Sequence, residues 1–133
     1  AQNIHMEACL GTKIYKYLID TIAALSVNNK ILMDDYIQPA LLQWSLYEAL
    51  PFINYRFTNK AISTKSSDNS DPVSLDELHY LREAVKNAAQ YLSERVTVYL
   101  KANTDIYPLY LTNSDCDDIR PNKTNYNSGI VFD

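Results

Sequence analysis

Residues able to do acid–base chemistry are few in this sequence and lie far apart. His5 and His79 are the two histidines, and neither has a serine, cysteine or carboxylate at the spacing of a catalytic motif. The sequence also contains no glycine-rich phosphate loop, no GxSxG and no HExxH. We therefore expect both histidines to be surface or packing residues, and we expect the protein not to be an enzyme.

A second candidate site is the acidic cluster of Asp115, Asp117 and Asp118 around Cys116. It resembles a calcium loop only loosely, because an EF-hand needs ligands at fixed alternate positions, a glycine and a terminal glutamate. The sequence therefore predicts no metal and no cofactor. A small metal-dependent hydrolase built on this cluster ranks as a third, remote hypothesis.

The charge balance argues against a protein that grips nucleic acid. The net charge is -4 and the pI is about 5.1, whereas phosphate binding needs a concentrated basic face. Arg56, Lys60 and Lys65 come closest to such a cluster. Cys9 and Cys116 form no CxxC pair, so we expect reduced thiols in a cytoplasmic setting. No signal peptide and no transmembrane run is visible, so secretion by the common route is not expected.

The stretch 36–53 is almost continuously apolar: YIQPALLQWSLYEALPFI. Its apolar residues recur at intervals of three and four, which predicts a buried helix. Pro39 suits its first turn if Asp34 or Asp35 caps it. We expect Pro51 to end it. At this length it is a core helix and not a membrane span.

Before this segment, Gly11 is expected to end a first helix, since glycine readily adopts the left-handed conformation of helix ends. Thr12 would cap a second helix over 13–25, and 27–32 reads as a connection. After Pro51, the period-two pattern of 52–62 predicts an extended, β-like segment. It leads into the polar run 63–71, so that 52–73 forms a loop or hairpin.

Ser74-Leu75-Asp76-Glu77 matches a capping box, and the apolar period then continues to about Ala102. A helix of nearly 30 residues is about 40 Å long. A domain of this size cannot cover a helix of that length from end to end, so we expect part of the helix to project or to contact a partner chain. The predicted core residues of the two long helices are Leu41, Trp44, Leu50, Leu81, Val85 and Leu92.

The sequence ends with a short helix or turn over 104–111, a polar, irregular stretch over 113–127 and a compact β-type run over 129–132. Such a run has the composition of a strand that adds to a sheet edge, either of a partner or of its own chain. We therefore predict a mainly α fold: a small bundle of about four helices, one of them long, over 1–112, with the extended loop 52–73 and an extended C-terminal arm over 113–133. Eleven tyrosines suit either the filling of a helical core or protein-binding surfaces. The predicted interaction residues are Tyr55, Arg56, Phe57, Lys60, Ile130, Val131 and Phe132.

Three blocks of sequence carry a family resemblance: 46–60, LYEALPFINYRFTNK; 74–82, SLDELHYLR; and 126–132, YNSGIVF. Together they resemble head-to-tail connector, or adaptor, proteins of tailed phages that infect gut Bacteroidetes, including crAss-like phages. The resemblance implies a virion protein of the neck, made in the host cytoplasm. It implies a homo-oligomeric ring, twelvefold, that stacks beneath the portal, contacts neighbouring tail proteins and passes DNA through its channel.

An alternative from another class is a cytoplasmic helical adaptor or regulatory module that binds a host or phage protein as a monomer or dimer. Oligomer size separates this alternative from a ring subunit.

Overall fold

The computed structural model describes residues 1–63, 75–110 and 119–121, with the backbone alone for 54–63. Within these ranges the protein is mainly α, as predicted, and contains no strand. The α-helices are α1 (Glu7–Leu10), α2 (Thr12–Asp20), α3 (Val27–Ile31), α4 (Gln38–Ser63) and α5 (Leu75–Ala102). The π-helical turns Gln2–Met6 and Leu32–Ile37 precede α1 and α4, and 3-10 turns cover Ile22–Ala24 and Pro108–Tyr110.

The first helix ends at Gly11, as predicted, with φ 81° and ψ 150°. The capping role predicted for Thr12 is wrong, because Thr12 is the first residue of α2 and makes no side-chain cap. The predicted helix over 13–25 is also too long: α2 ends at Asp20 and a 3-10 turn follows. The expected connection at 27–32 is helical instead, because the Ser26 hydroxyl accepts the backbone N–H of Asn29 and starts α3.

The chain is continuously helical from α3 through the second π-helical turn into α4. Asp34 and Asp35 therefore lie inside a helical segment and cap nothing. Pro51 does not end α4 either. Proline removes one hydrogen bond from a helix interior, here the bond to the Tyr47 carbonyl, yet α4 continues through Pro51 to Ser63.

The extended segment predicted over 52–62 is likewise wrong, because these residues belong to α4. A period of two over a short window is ambiguous when apolar residues also recur at three and four. Leu46, Leu50 and Ile53 have that helical spacing. The loop predicted over 63–71 lies, after Ser63, outside the described residues.

Helix α5 spans 28 residues, close to the predicted length, and Ser74 of the capping box lies outside the described residues. It packs antiparallel to α4: Tyr36 stacks on Tyr99 near one end, and further along Trp44 reaches Ser93. The first helical segment lies across both helices, since Cys9 contacts the Ser93 carbonyl and the Thr97 hydroxyl of α5.

Of the predicted core residues, Trp44 and Leu50 are buried, and Leu41, Val85 and Leu92 are half-buried. Leu81 does not belong to the core, because it is 47% exposed. It shares a heptad row with Ala88 and Arg95, and all three are exposed. The buried row of α5 instead contains Ala89, Val96 and Leu100.

Candidate interaction surfaces

The predicted interaction residues fall in two places. Tyr55, Arg56, Phe57 and Lys60 lie in the C-terminal half of α4, in helical and not extended backbone. Ile130, Val131 and Phe132 lie outside the described residues. The surfaces below are therefore built from other side chains.

One face of α4 carries large apolar side chains in contact with solvent. Leu42, Leu46 and Ile53 are 70%, 41% and 42% exposed, and their spacing of four and seven aligns them on one stripe. Trp44 lies between the first two, and positions two apart are about 200° apart around a helix. Since Trp44 faces α5, this α4 outer stripe points away from α5.

A second stripe lies on α5. Tyr80, Tyr91 and Val98 are 80%, 64% and 55% exposed, and their spacing of eleven and seven again aligns them. Ser93, two positions after Tyr91, accepts a hydrogen bond from Trp44 Nε1 at 2.8 Å. This α5 outer stripe therefore points away from α4, so the two stripes lie on opposite edges of the helix pair.

A groove lies beside the α5 outer stripe near the C-terminal end of α5. It has a volume of about 440 Å³ and is open to solvent on one side. Its walls are mostly aromatic and aliphatic, with a guanidinium at one side: Tyr36, Tyr91, Glu94, Arg95, Val98, Tyr99 and Ala102. The Arg95 guanidinium lies 5.6 Å from the centre of the Tyr36 ring. Such a groove suits an aliphatic side chain from another helix.

His5 holds the first helical segment onto α4. Its ring stacks on Trp44 with 3.8 Å between ring centres and 6° between planes, and its Nε2 donates to Glu48 Oε1 at 2.8 Å. The hydrogen bond from His5 lowers the pKa of Glu48 below its ordinary value. His5 thus packs between the first helical segment and α4, and His79 is exposed.

Arg82 of α5 contacts the third ring of the cluster formed by His5, Trp44 and Tyr47. Its guanidinium carbon lies 4.3 Å from the centre of the Tyr47 ring, a cation–π distance. Tyr47 in turn meets Trp44 edge to face at 5.7 Å. These contacts fix the inner side of α4 against α5 and leave the outer stripes outside the core.

Residues near the other end of the chain return to the junction of α1 and α2. The backbone N–H of Thr12 donates to the Ile119 carbonyl at 3.1 Å. The Thr12 hydroxyl accepts from the Ile119 N–H at 2.9 Å and donates to Glu7 Oε1 at 3.0 Å. Pro121 is buried against Gly11. The segment 119–121, predicted to lie in an irregular tail, is thus bound to the helical core.

The described ranges contain neither a candidate metal site nor a candidate membrane span. No group of three or more His, Cys, Asp or Glu there is arranged to hold a metal ion, and Asp115 to Asp118 lie outside these ranges. No described helix combines the length and the apolarity that crossing a bilayer requires.

The sequence model of one protein family matches residues 6–120. This range is most of the chain and includes all five α-helices. The chain belongs to DUF6712, a family of unknown function. No curated protein and no solved structure matches it significantly.

Sequence reasoning missed the outer stripes of this DUF6712 protein. The apolar residues on most sides of 36–53 predict a helix buried all round, yet Leu42 and Leu46 are exposed. For α5, the length of the helix predicts that part of it contacts a partner. Length alone does not identify Tyr80, Tyr91 or Val98 as the exposed residues. Their common spacing around the helix, measured against Val96 and Leu100, is what distinguishes the outer row from the core row.

Proposed function

We propose that this protein is a head-to-tail connector subunit of a tailed bacteriophage, which forms a ring below the portal and extends the DNA channel to the tail. The proposal starts from the resemblance of three sequence blocks to connector proteins of such phages. The observation that carries it furthest is the pair of different apolar stripes on opposite edges of the α4–α5 pair. The protein then works by assembly and not by catalysis.

A ring subunit needs two unlike surfaces. In a heterologous contact, one patch binds a different patch on the next copy, and the ring closes when the rotation between copies allows it. Large apolar side chains aligned along both outer edges favour association, because contiguous exposed apolar area is typical of interaction sites. The two outer stripes meet the requirement, and the portal and the neighbouring tail proteins would then bind at the two ends of the ring.

The net charge of -4 suits a channel that passes DNA without holding it, since an acidic wall repels phosphates. We expect the purified protein to bind duplex DNA more weakly than about 10 µM at physiological salt, as non-specific binders with few phosphate contacts do. A tighter affinity that falls steeply with salt would contradict a DNA-transit role.

Localisation in the virion tests the proposal directly. Antibodies against the protein, applied to purified virions of the phage whose genome encodes it, should label the junction between head and tail and no other site. Absence from virions, together with recovery from infected cells in a complex with a host or phage protein, would instead support the cytoplasmic adaptor alternative.

A further inference from the structure

We infer that the α4 outer stripe of one copy binds the α5 outer stripe of the next copy, with the two helices antiparallel. This inference rests on the proposed ring and names the contact that would build it. The occupant of each stripe is thus a second copy of this chain, bound edge to edge, so that a layer of alternating α4 and α5 helices continues from subunit to subunit.

The α4 segment is acidic at its start and basic towards its end. Asp34 and Asp35 are both exposed in the π-helical turn that leads into α4. In sequence, Arg56 and Lys60 follow in the last two turns of the same helix. An incoming helix along α4 is therefore favoured when its basic end meets Asp34 and Asp35.

Helix α5 has the same polarity. Asp76 and Glu77 occupy its first turn, and Arg95 and Lys101 occupy its C-terminal part. Antiparallel packing of α4 on α5 places the acidic end of each helix beside the basic end of the other. Parallel packing would oppose like charges at both ends, which is unfavourable.

The register of the intramolecular pair also fits the contact between copies. Within the chain, Tyr36 meets Tyr99 and Trp44 meets Ser93. The same register across the edge sets Leu46 of one copy against Tyr91 of the next, and it sets Leu42 between Tyr91 and Val98. Leu42 then enters the groove of about 440 Å³ that these two residues line.

Two complementary variants test the contact. Leu42→Asp blocks the α4 edge and Tyr91→Asp blocks the α5 edge, and both side chains are more than half exposed, so the fold should tolerate the changes. Val27→Asp, at a position 76% exposed and outside both stripes, is the matched control. All variants should melt at the wild-type temperature, and their masses are then measured by analytical ultracentrifugation at up to about 1 mM chain, which detects millimolar dissociation constants.

We expect the wild type and Val27→Asp to associate and each edge variant alone to remain a monomer. An equimolar mixture of the edge variants should form heterodimers, because each supplies the edge that the other lacks. The inference is overturned if either edge variant associates like the wild type, if the mixture stays monomeric, or if the wild type is a monomer throughout.

Failure of the contact and failure of the connector proposal give different results. Rings that survive both substitutions and still bind the portal would overturn the contact and leave the connector role intact. If the mixture forms heterodimers but the wild type does not bind the portal, the contact is established and the connector role is contradicted.

Discussion

The ring of Pro121 lies so close to Gly11 that no side chain fits between them. A Cβ atom on Gly11 would stand 2.8 Å from Pro121 Cδ, and the φ of 81° is unfavourable for any residue but glycine. The chain thus closes on itself over more than a hundred positions, at the break between α1 and α2.

Replacing Gly11 by alanine should therefore lower the free energy of unfolding by about 2 kcal/mol or more, from backbone strain plus the clash. Urea denaturation measures this loss. In a Pro121→Ala background the cost should be smaller, because the contact with Cδ is lost while the strain at Gly11 and the 3.3 Å approach of the Ile119 carbonyl remain. A double-mutant cycle measures the share of the proline ring. An unchanged denaturation midpoint in Gly11→Ala would show that the junction is not built as described.

Trp44 joins three parts of the core. It is 9% exposed, stacks on His5 and donates to the Ser93 hydroxyl. Trp44→Ala should cost about 3–5 kcal/mol through the cavity and the lost contacts. Leu42→Ala, two positions earlier and on the outer stripe, should change stability by less than about 0.5 kcal/mol at low protein concentration. Thermal melting of both variants checks the contrast, and equal melting temperatures for Trp44→Ala and wild type would contradict it.

The Cys9 thiol should be unreactive in the folded protein. Burial raises its pKa above the ordinary value, and its Sγ contacts the Ser93 carbonyl and the Thr97 hydroxyl. Because the thiolate is the reactive form, a Cys116→Ala variant should be alkylated slowly by iodoacetamide at pH 8 and rapidly once denatured in guanidinium chloride. Fast alkylation of the native variant would mean that the first helical segment does not remain packed on α5.

The His5–Glu48 hydrogen bond should make stability depend on pH in acid. Because the folded pKa of Glu48 lies below the unfolded value, this carboxylate stabilises the fold above the ordinary glutamate pKa of about 4.3, and the contribution disappears as pH falls through the folded pKa. Glu48 is 39% exposed, so the effect should not exceed about 1 kcal/mol.

Denaturation of wild type and Glu48→Gln between pH 3 and pH 6 measures this dependence. The stability difference between the two should be greatest at the upper end of that range and should vanish at the lower end. A difference independent of pH would exclude ionisation of Glu48 as its cause.

The C-terminal residues Gly129 to Asp133 are expected to act in assembly. Their deletion should leave the melting temperature unchanged and weaken portal binding, if the run Ile130 to Phe132 adds to a partner. The full-length variant Val131→Ser is the milder companion change. Portal binding at wild-type affinity after the deletion would refute the assignment.

Helical class, the break at Gly11 and the length of α5 could be predicted, because they follow from local spacing, glycine conformation and helix periodicity. Local rules failed at Pro51. This proline and the alternation after it predict an end to α4, yet the helix continues to Ser63, and Leu46, Leu50 and Ile53 keep the helical spacing. The outer stripes could not be predicted, because Leu42 and Trp44 are equally apolar and only the position of α5 decides which one is buried. The Thr12–Ile119 contact left no local signal at all.

The central claim is that this chain is a connector ring subunit, and the mass of the complex it forms with the portal protein from the same genome tests it most directly. Light scattering after size-exclusion chromatography should give one large stoichiometric species, and electron microscopy should show an added ring on the portal. A chain that elutes apart from the portal at its monomer mass would contradict the connector account.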